Sequence, residues 1–188
     1  KNPKGIMCTG GPSVVTDEGA QYVEKAVFGL GVPVLGICYG CQLIGHAFGG
    51  EISPADSREY GKAQISLDGS SKLFQGLGGE NTCWMSHTYH VSKLPEGFNS
   101  IANTQTCNNA AISNEQMQLY GVQFHPEVVH TPFGNEMLGN FLFEICGCKG
   151  DWIMENLAEE FVASLKERIG QKKVLCALSG GVDSTVAA

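Results

Sequence analysis

The chain has 188 residues, 43% apolar and 16% charged, enough for one sizeable core and the edge of a second. Its formal charge of −7, with no basic stripe, argues against a nucleic-acid partner. No apolar run approaches the roughly 18–20 residues of a membrane span, and the first residues carry no signal-peptide pattern.

In chain order, Gly5–Thr9 reads as a short strand running into a Gly10-Gly11-Pro12 turn. Asp17–Leu30 has apolar residues at helical spacing (Ala20, Val23, Val27, Leu30) and predicts a helix. Val32–Ile37 is a short continuous apolar run, as expected of a strand buried on both faces. Tyr39–Phe48 predicts a helix ended by Gly49-Gly50. Strand–helix–strand–helix alternation predicts a parallel α/β sheet. Short strand candidates then follow at Glu51–Ile52, Ala63–Leu67, Thr82–Met85, Ser100–Asn103, Ala110–Ser113 and Leu119–Phe124, suggesting antiparallel pairs added to that core. A helix is expected over about 135–145.

Composition shifts after Gly147. Trp152–Ile169 predicts an amphipathic helix with Ile153, Leu157, Phe161 and Leu165 on one face, stopped by Gly170. Residues 172–179 read as a second apolar strand, turning at Gly180-Gly181 into a helix. The fold expectation is therefore an α/β chain with a mostly parallel open sheet, flanking helices and added antiparallel strands, followed by the first strand and helix start of a second α/β domain. The first domain spans 1–148, a linker and amphipathic helix 149–170, and the start of the second domain 171–188. Both ends look cut.

The eight cysteines lie largely inside apolar runs, where a reduced thiol behaves as a small hydrophobe. This predicts a reducing cytoplasm and no structural disulfides. Cys38 differs. It sits at a strand end as Gly36-x-Cys38-x-Gly40, directly before a helix, the layout of a nucleophile elbow. The flanking glycines permit a tight corner, and the helix N-terminus favours a thiolate and offers N–H groups to a developing oxyanion. The competing reading is a buried cysteine at a strand end. Downstream, Tyr120–Val128 ends an apolar strand with His125 and Glu127 around Pro126. Residues two apart in extended backbone share a side, so Glu127 can orient His125 toward Cys38, giving nucleophile, base and orienter. A surface turn is the plainer alternative for this segment.

The segments GICYGCQ, GVQFHPE and the early GGP together resemble class I glutamine amidotransferases over about residues 5–146. That resemblance implies Cys38 as nucleophile on the glutamine side-chain amide, His125 as base and then acid, and Glu127 as its orienter. It implies backbone N–H groups of Gly11 and Tyr39 as the oxyanion hole, and glutamine contacts from Gln42, Ser86 and His87. Glutaminase chemistry of this kind needs no cofactor and no metal. After Met85-Ser86-His87 the family usually continues with Gly-Asp, where this chain has Thr88-Tyr89. The family's first strand and helix are missing before Lys1.

The Ser179-Gly180-Gly181-Val182-Asp183-Ser184 turn opens a helix after an apolar strand, an arrangement that suits an anion. Ser179 and Ser184 can add donors, and Asp183 suits Mg²⁺ better than phosphate. A plain glycine turn is the alternative. The full motif resembles the pyrophosphate-binding loop of N-type ATP pyrophosphatases. Joined to an amidotransferase domain, it implies a carbon–nitrogen ligase with glutamine as amido donor. In the whole protein ATP and Mg²⁺ would adenylate XMP, and ammonia would displace AMP. This chain alone would be at most a glutaminase. The partners implied are its own synthetase domain and a second copy bound through the absent C-terminal region, with no membrane and no nucleic acid. Arg58-Glu59, expected in a loop, would contact the synthetase domain or gate glutamine, with a solvated surface salt bridge as the plainer alternative. The competing functions are a stand-alone glutamine or γ-glutamyl hydrolase and a thiol-rich redox or metal-binding module.

Cys41 reads as a core residue, with an oxidative lock on Cys38, or half a zinc site with Cys146 and Cys148, as alternatives. His46 reads as a packed histidine. His87, His90 and His130 lack metal-ligand spacing. Trp84 and Trp152 read as anchors in the core and at the domain seam.

Overall fold

The computed structural model describes residues 3–151, 154–175 and 180–182, the side chains at 56–58 and 154–156 excepted. The chain divides into two compact units between Lys149 and Gly150.

The first unit is built on a seven-stranded sheet in the order β1-β2-β7-β6-β5-β3-β4. The strands are β1 (Ile6–Cys8), β2 (Val34–Ile37), β3 (Glu51–Leu67), β4 (Gly79–Lys93), β5 (Asn99–Thr104), β6 (Ala111–Asn114) and β7 (Leu119–Val122). β2 is parallel to both β1 and β7. The pairs β7–β6, β6–β5, β5–β3 and β3–β4 are antiparallel. The parallel core with added antiparallel strands matches the sequence expectation. Its proportions do not, because antiparallel pairings outnumber parallel ones among the described residues. Short connections suffice for antiparallel neighbours, whereas each parallel pair needs a crossover.

Alternation distributes side chains to two faces. Leu35, Ile37, Tyr120 and Val122 join the cluster covered by Met137, Phe141 and Ile145. Val34, Leu119 and Ile112 join the opposite cluster, with Cys41 and Ile44. Every residue of β2 and β7 is buried, as their unbroken apolar runs require. The helix α2 (Tyr39–Ala47) supplies Cys41 and Ile44. Its first turn lies almost on the strands: a Cβ at Gly36 would sit 2.3 Å from the Gly40 carbonyl oxygen, and one at Gly40 2.0 Å from that of Cys8.

Three elements depart from the sequence reading. The expected helix over Asp17–Leu30 is reduced to α1, Lys25–Phe28. The Asp17 carboxylate instead accepts from Val14 N–H at 3.3 Å, and Gly19 has φ +79°. A local side-chain turn and a left-handed glycine outcompete helix there. The two short strands at Glu51–Ile52 and Ala63–Leu67 are one long β3, so Arg58-Glu59 lies on a strand and not in a loop. Its partner β4 extends well beyond the expected Thr82–Met85. Pro54 is tolerated because β5 pairs only with Ile65–Leu67, leaving the β3 edge free at Pro54. A register shift between Pro54 and Glu59 absorbs the mismatch with β4. Last, the expected helix near 135–145 begins as α3 (Gly134–Gly139) and continues with π geometry over Asn140–Ile145, with Cys146 N–H donating to Phe141 O at 2.9 Å.

The second unit contains α4 (Met154–Ile169), ended by Gly170 at φ +54°. Phe161, Val162 and Leu165 on it are exposed. Residues 172–175 carry no regular structure, and Cys176 through Ser179 of the expected strand lie outside the described residues, as do Trp152 and Ile153. Among the described residues no helix is long and apolar enough to cross a membrane.

Candidate active site

Cys38 occupies the corner between β2 and α2 with φ +53° and ψ −105°. A non-glycine residue in that region costs on the order of 1–3 kcal/mol and persists only where its surroundings enforce it. Here Cys38 N–H donates to Val122 O at 2.7 Å, pinning the corner to the end of β7. The strained turn places Cys38 on the wall of a cavity of about 200 Å³. That cavity is also lined by Gly11, Tyr39, Gln42, Ser86 and His87, so the structure brings every expected oxyanion and glutamine contact to one wall around the sulfur. Tyr60, Thr88 and Tyr89 line it as well, with Pro12, Ser13 and Val14.

His125 reaches the sulfur from the segment after β7. Its backbone is held at both ends: His125 N–H donates to Trp84 O at 3.0 Å, and the Thr131 hydroxyl donates to His125 O at 2.7 Å. The same hydroxyl accepts from Trp84 N–H at 3.0 Å. His125 Nδ1 lies 2.7 Å from Glu127 Oε1, which leaves Nε2 for the thiol. The hydrogen bond with Cys38, reinforced by Glu127 against the opposing effect of burial, pushes the His125 pKa up to about 9. Thr131 is 3% exposed and went unrecognised in the sequence, because its role depends on β4 folding back over it.

The wall of the cavity is held by a hydrogen-bonded chain. Gln42 Nε2 donates to Tyr89 O at 2.8 Å and to Gln123 Oε1 at 3.2 Å, and Gln123 Nε2 lies 3.6 Å from Cys38 Sγ. The contact at Tyr89 uses a backbone carbonyl, so the departure from Gly-Asp at Thr88-Tyr89 leaves it available. His87 is buried, and its Nε2 lies 3.0 Å from Glu59 Oε2. Burial lowers its pKa, against the opposing pull of Glu59. Glu59 Oε1 in turn accepts from Thr104 Oγ1 at 3.0 Å and from the Thr106 hydroxyl. The Glu59–His87 pair joins β3 to β4, a relation with no local signature in the sequence.

Among the described residues, Glu59, His87 and Cys107 form one group whose ligand atoms lie within 4.8 Å of one another and could hold a metal ion. Both Glu59 oxygens are engaged in hydrogen bonds, and burial pushes the Cys107 thiol up to about 12. The Glu59 oxygens are therefore already taken by protein donors, which makes the group a hydrogen-bonded polar cluster more than an open coordination site, although His87 Nδ1 is buried without a hydrogen-bond partner.

Cys41 is fully buried among Phe28, Val34 and Ile44, and burial raises its pKa well above the usual thiol range. It is a core residue. All the described cysteines are free. His46, expected to be packed, is exposed in the last turn of α2, just past Tyr39–Gly45, which are buried on every side of the helix. Trp84 is half-buried and lies against His130, ring centroids 4.8 Å apart. In the Gly-rich motif, Gly180 has φ +78°, while Ser179, Asp183 and Ser184 lie outside the described residues.

The chain is 59% identical over its full length to a GMP synthase [glutamine-hydrolyzing] from Acetivibrio thermocellus, and 56% identical to one from Clostridium perfringens. It spans 37% of the length of each of these curated relatives. A crystal structure of a glutamine amidotransferase from Methylobacillus flagellatus superposes with a TM-score of 0.58 at 25% identity, covering 66% of this chain and 52% of that one. Residues 1–145 match the family described as glutamine amidotransferase class-I, and with the elbow, histidine and cavity in place on that fold, the chain belongs to this family.

Proposed function

We propose that Cys38, His125 and Glu127 form the catalytic triad of a glutaminase, and that the chain is the amidotransferase part of a glutamine-hydrolysing GMP synthase. The observation that carries this reading is a single imidazole whose Nδ1 is hydrogen-bonded to Glu127 and whose ring lies beside Cys38, the two side chains meeting over Gly10.

In this mechanism His125 holds the Cys38 proton, and Sγ attacks the side-chain carbonyl carbon of glutamine. The negative charge that forms on oxygen is met by the N–H groups of Gly11 and Tyr39, the latter at the start of α2. Collapse breaks the C–N bond, His125 returns its proton to nitrogen, and ammonia leaves. Water then loses a proton to His125 and attacks the thioester. The C–S bond breaks, glutamate departs and the proton is again shared between His125 and Cys38. Gln42, Ser86 and His87 hold the glutamine.

The rest of the reading concerns the whole protein. Its domain division is 1–148, 149–170 and 171–188, with the last segment opening an ATP pyrophosphatase domain. Ser179 to Ser184 would bind ATP with Mg²⁺, XMP would be the ammonia acceptor, and the protein would be a cytoplasmic ligase of purine biosynthesis, dimeric through a further C-terminal region. Support comes from relatives named GMP synthase, which match the whole chain, motif included. That match favours this reading over a stand-alone hydrolase or a thiol-rich redox module.

The test is trapping with a glutamine-analogue diazo-ketone followed by mass spectrometry. The adduct is expected on Cys38. Cys38→Ala should lose glutamine-dependent GMP formation in the full-length protein while keeping ammonium-dependent formation. An adduct elsewhere, or glutamine use that survives the substitution, overturns the triad.

A further inference from the structure

Gln123 lies between β7 and His125 and is fully buried. Its backbone N–H donates to Ala110 O at 2.8 Å, so the sheet sets where its side chain points. Both ends of its amide are used. One faces Gln42 Nε2 at 3.2 Å and the other faces Cys38 Sγ at 3.6 Å.

The chain of contacts determines which end is which. Tyr89 O is a backbone carbonyl and only accepts, so the Gln42 group 2.8 Å away must be its NH₂. That NH₂ also meets Gln123, so the facing Gln123 atom is oxygen. The remaining end, turned to the sulfur, is therefore an N–H donor. Besides His125, Sγ also faces Ser86 O at 3.8 Å, an acceptor suited to the S–H of a thiol and unfavourable to a thiolate. The sulfur thus has a fixed acceptor for its protonated form and a fixed, water-excluded donor for its ionised form. A donor anchored this way, and polarised through a second amide, interacts more strongly with a charge than a free one does.

We propose that Gln123 is a positioning residue for the nucleophile: its buried amide, oriented by Gln42 and Tyr89, donates to the Cys38 thiolate and holds the sulfur in place for attack. This rests on Cys38 being the nucleophile. The titratable groups around the sulfur are His125 with its partner Glu127, His87 with its partner Glu59, the cavity-lining Tyr39, Tyr60 and Tyr89, and Cys41 one turn into α2, and changing Gln123 removes none of them.

The test measures the rate of Cys38 alkylation by iodoacetamide against pH, mapped by mass spectrometry, in the full-length protein and in Gln123→Met and Gln123→Glu, with thermal melts to establish folding. Methionine keeps the shape and removes the donor. Glutamate keeps the acceptor for Gln42 and turns a carboxylate to the sulfur. The alkylation midpoint is expected to rise by about one pH unit in Gln123→Met, the size of one lost hydrogen bond to a charged group, and at least as far in Gln123→Glu. The kcat for glutamine hydrolysis should fall about tenfold with little change in KM. Folded variants with the wild-type profile overturn the proposal. If neither Gln123 variant folds, Gln42→Met decides: it frees the amide to turn, so a smaller upward shift supports the proposal and an unchanged profile overturns it. Glutamine hydrolysis that survives Cys38→Ala would instead refute the underlying reading of the nucleophile.

Discussion

The Glu127 carboxylate meets the His125 ring at 2.7 Å from the outside of the fold, while Cys38 is buried: the Glu127 side chain is 51% exposed and Cys38 is 8% exposed. Charge compensation therefore reaches the imidazole through a water-facing partner, where screening weakens it. Glu127→Gln is expected to reduce kcat for glutamine hydrolysis about 10- to 100-fold, with KM little changed. Ammonia release under saturating glutamine measures it, and activity should rise as salt falls in the wild type but not in the variant, so the gap between them widens.

The pH dependence of stability has two opposed contributions. The His125 pKa is raised from 6.5 to about 9, so its contribution is complete below the unfolded value and lost as pH rises through about 9. The His87 pKa is lowered by burial, so its contribution is present above 6.5 and lost as pH falls through its folded value. Urea unfolding is expected to show a stability maximum between these limits. His125→Gln should flatten the alkaline limb and leave the acid limb in place.

Gly40→Ala places a Cβ 2.0 Å from the Cys8 carbonyl oxygen, a backbone atom that cannot swing aside. The helix must move off the sheet, at a cost of about 1–3 kcal/mol or more. Because the same turn carries Cys38, diazo-ketone trapping should be lost even at temperatures where far-UV circular dichroism shows the variant folded.

Thr131→Val keeps volume but removes the hydroxyl that accepts from Trp84 N–H and donates to His125 O. Two half-buried backbone partners lose their bond, at about 0.5–1.5 kcal/mol each. Thermal denaturation should show the loss, and kcat should fall while glutamine KM stays near wild type, since Thr131 does not line the cavity.

Cys41→Ala tests the oxidative lock. Its sulfur is packed among core side chains, away from the cavity that exposes Cys38. Peroxide inactivation and its reversal by reductant are expected to follow the same course in Cys41→Ala as in the wild type, with about 1 kcal/mol of stability lost to the small void.

Features of short range were legible from residue order alone. The apolar run of β2, the periodicity of α2, the Gly36-x-Cys38-x-Gly40 corner and the His125-Pro126-Glu127 spacing each express a rule that operates within one or two turns of chain. So did the parallel core with antiparallel additions. Other features depended on partners distant in the chain. Residues 53–59 have a weak strand signal, with Pro54 and several polar residues, yet pairing with β4 makes them part of one long strand. Asp17–Leu30 has helical periodicity, yet a local carboxylate turn and Gly19 prevail over most of it.

The residues by themselves determined the chemistry on offer: a thiol on a strained corner, an imidazole beside a carboxylate, and amides and hydroxyls at the right spacings. Only the folded chain decided which of them meet. Thr131 holds the His125 backbone, Glu59 holds His87, and Gln123 faces the sulfur because strands far apart in sequence lie side by side, and hydrogen bonds form between atoms a few ångströms apart whatever their separation along the chain.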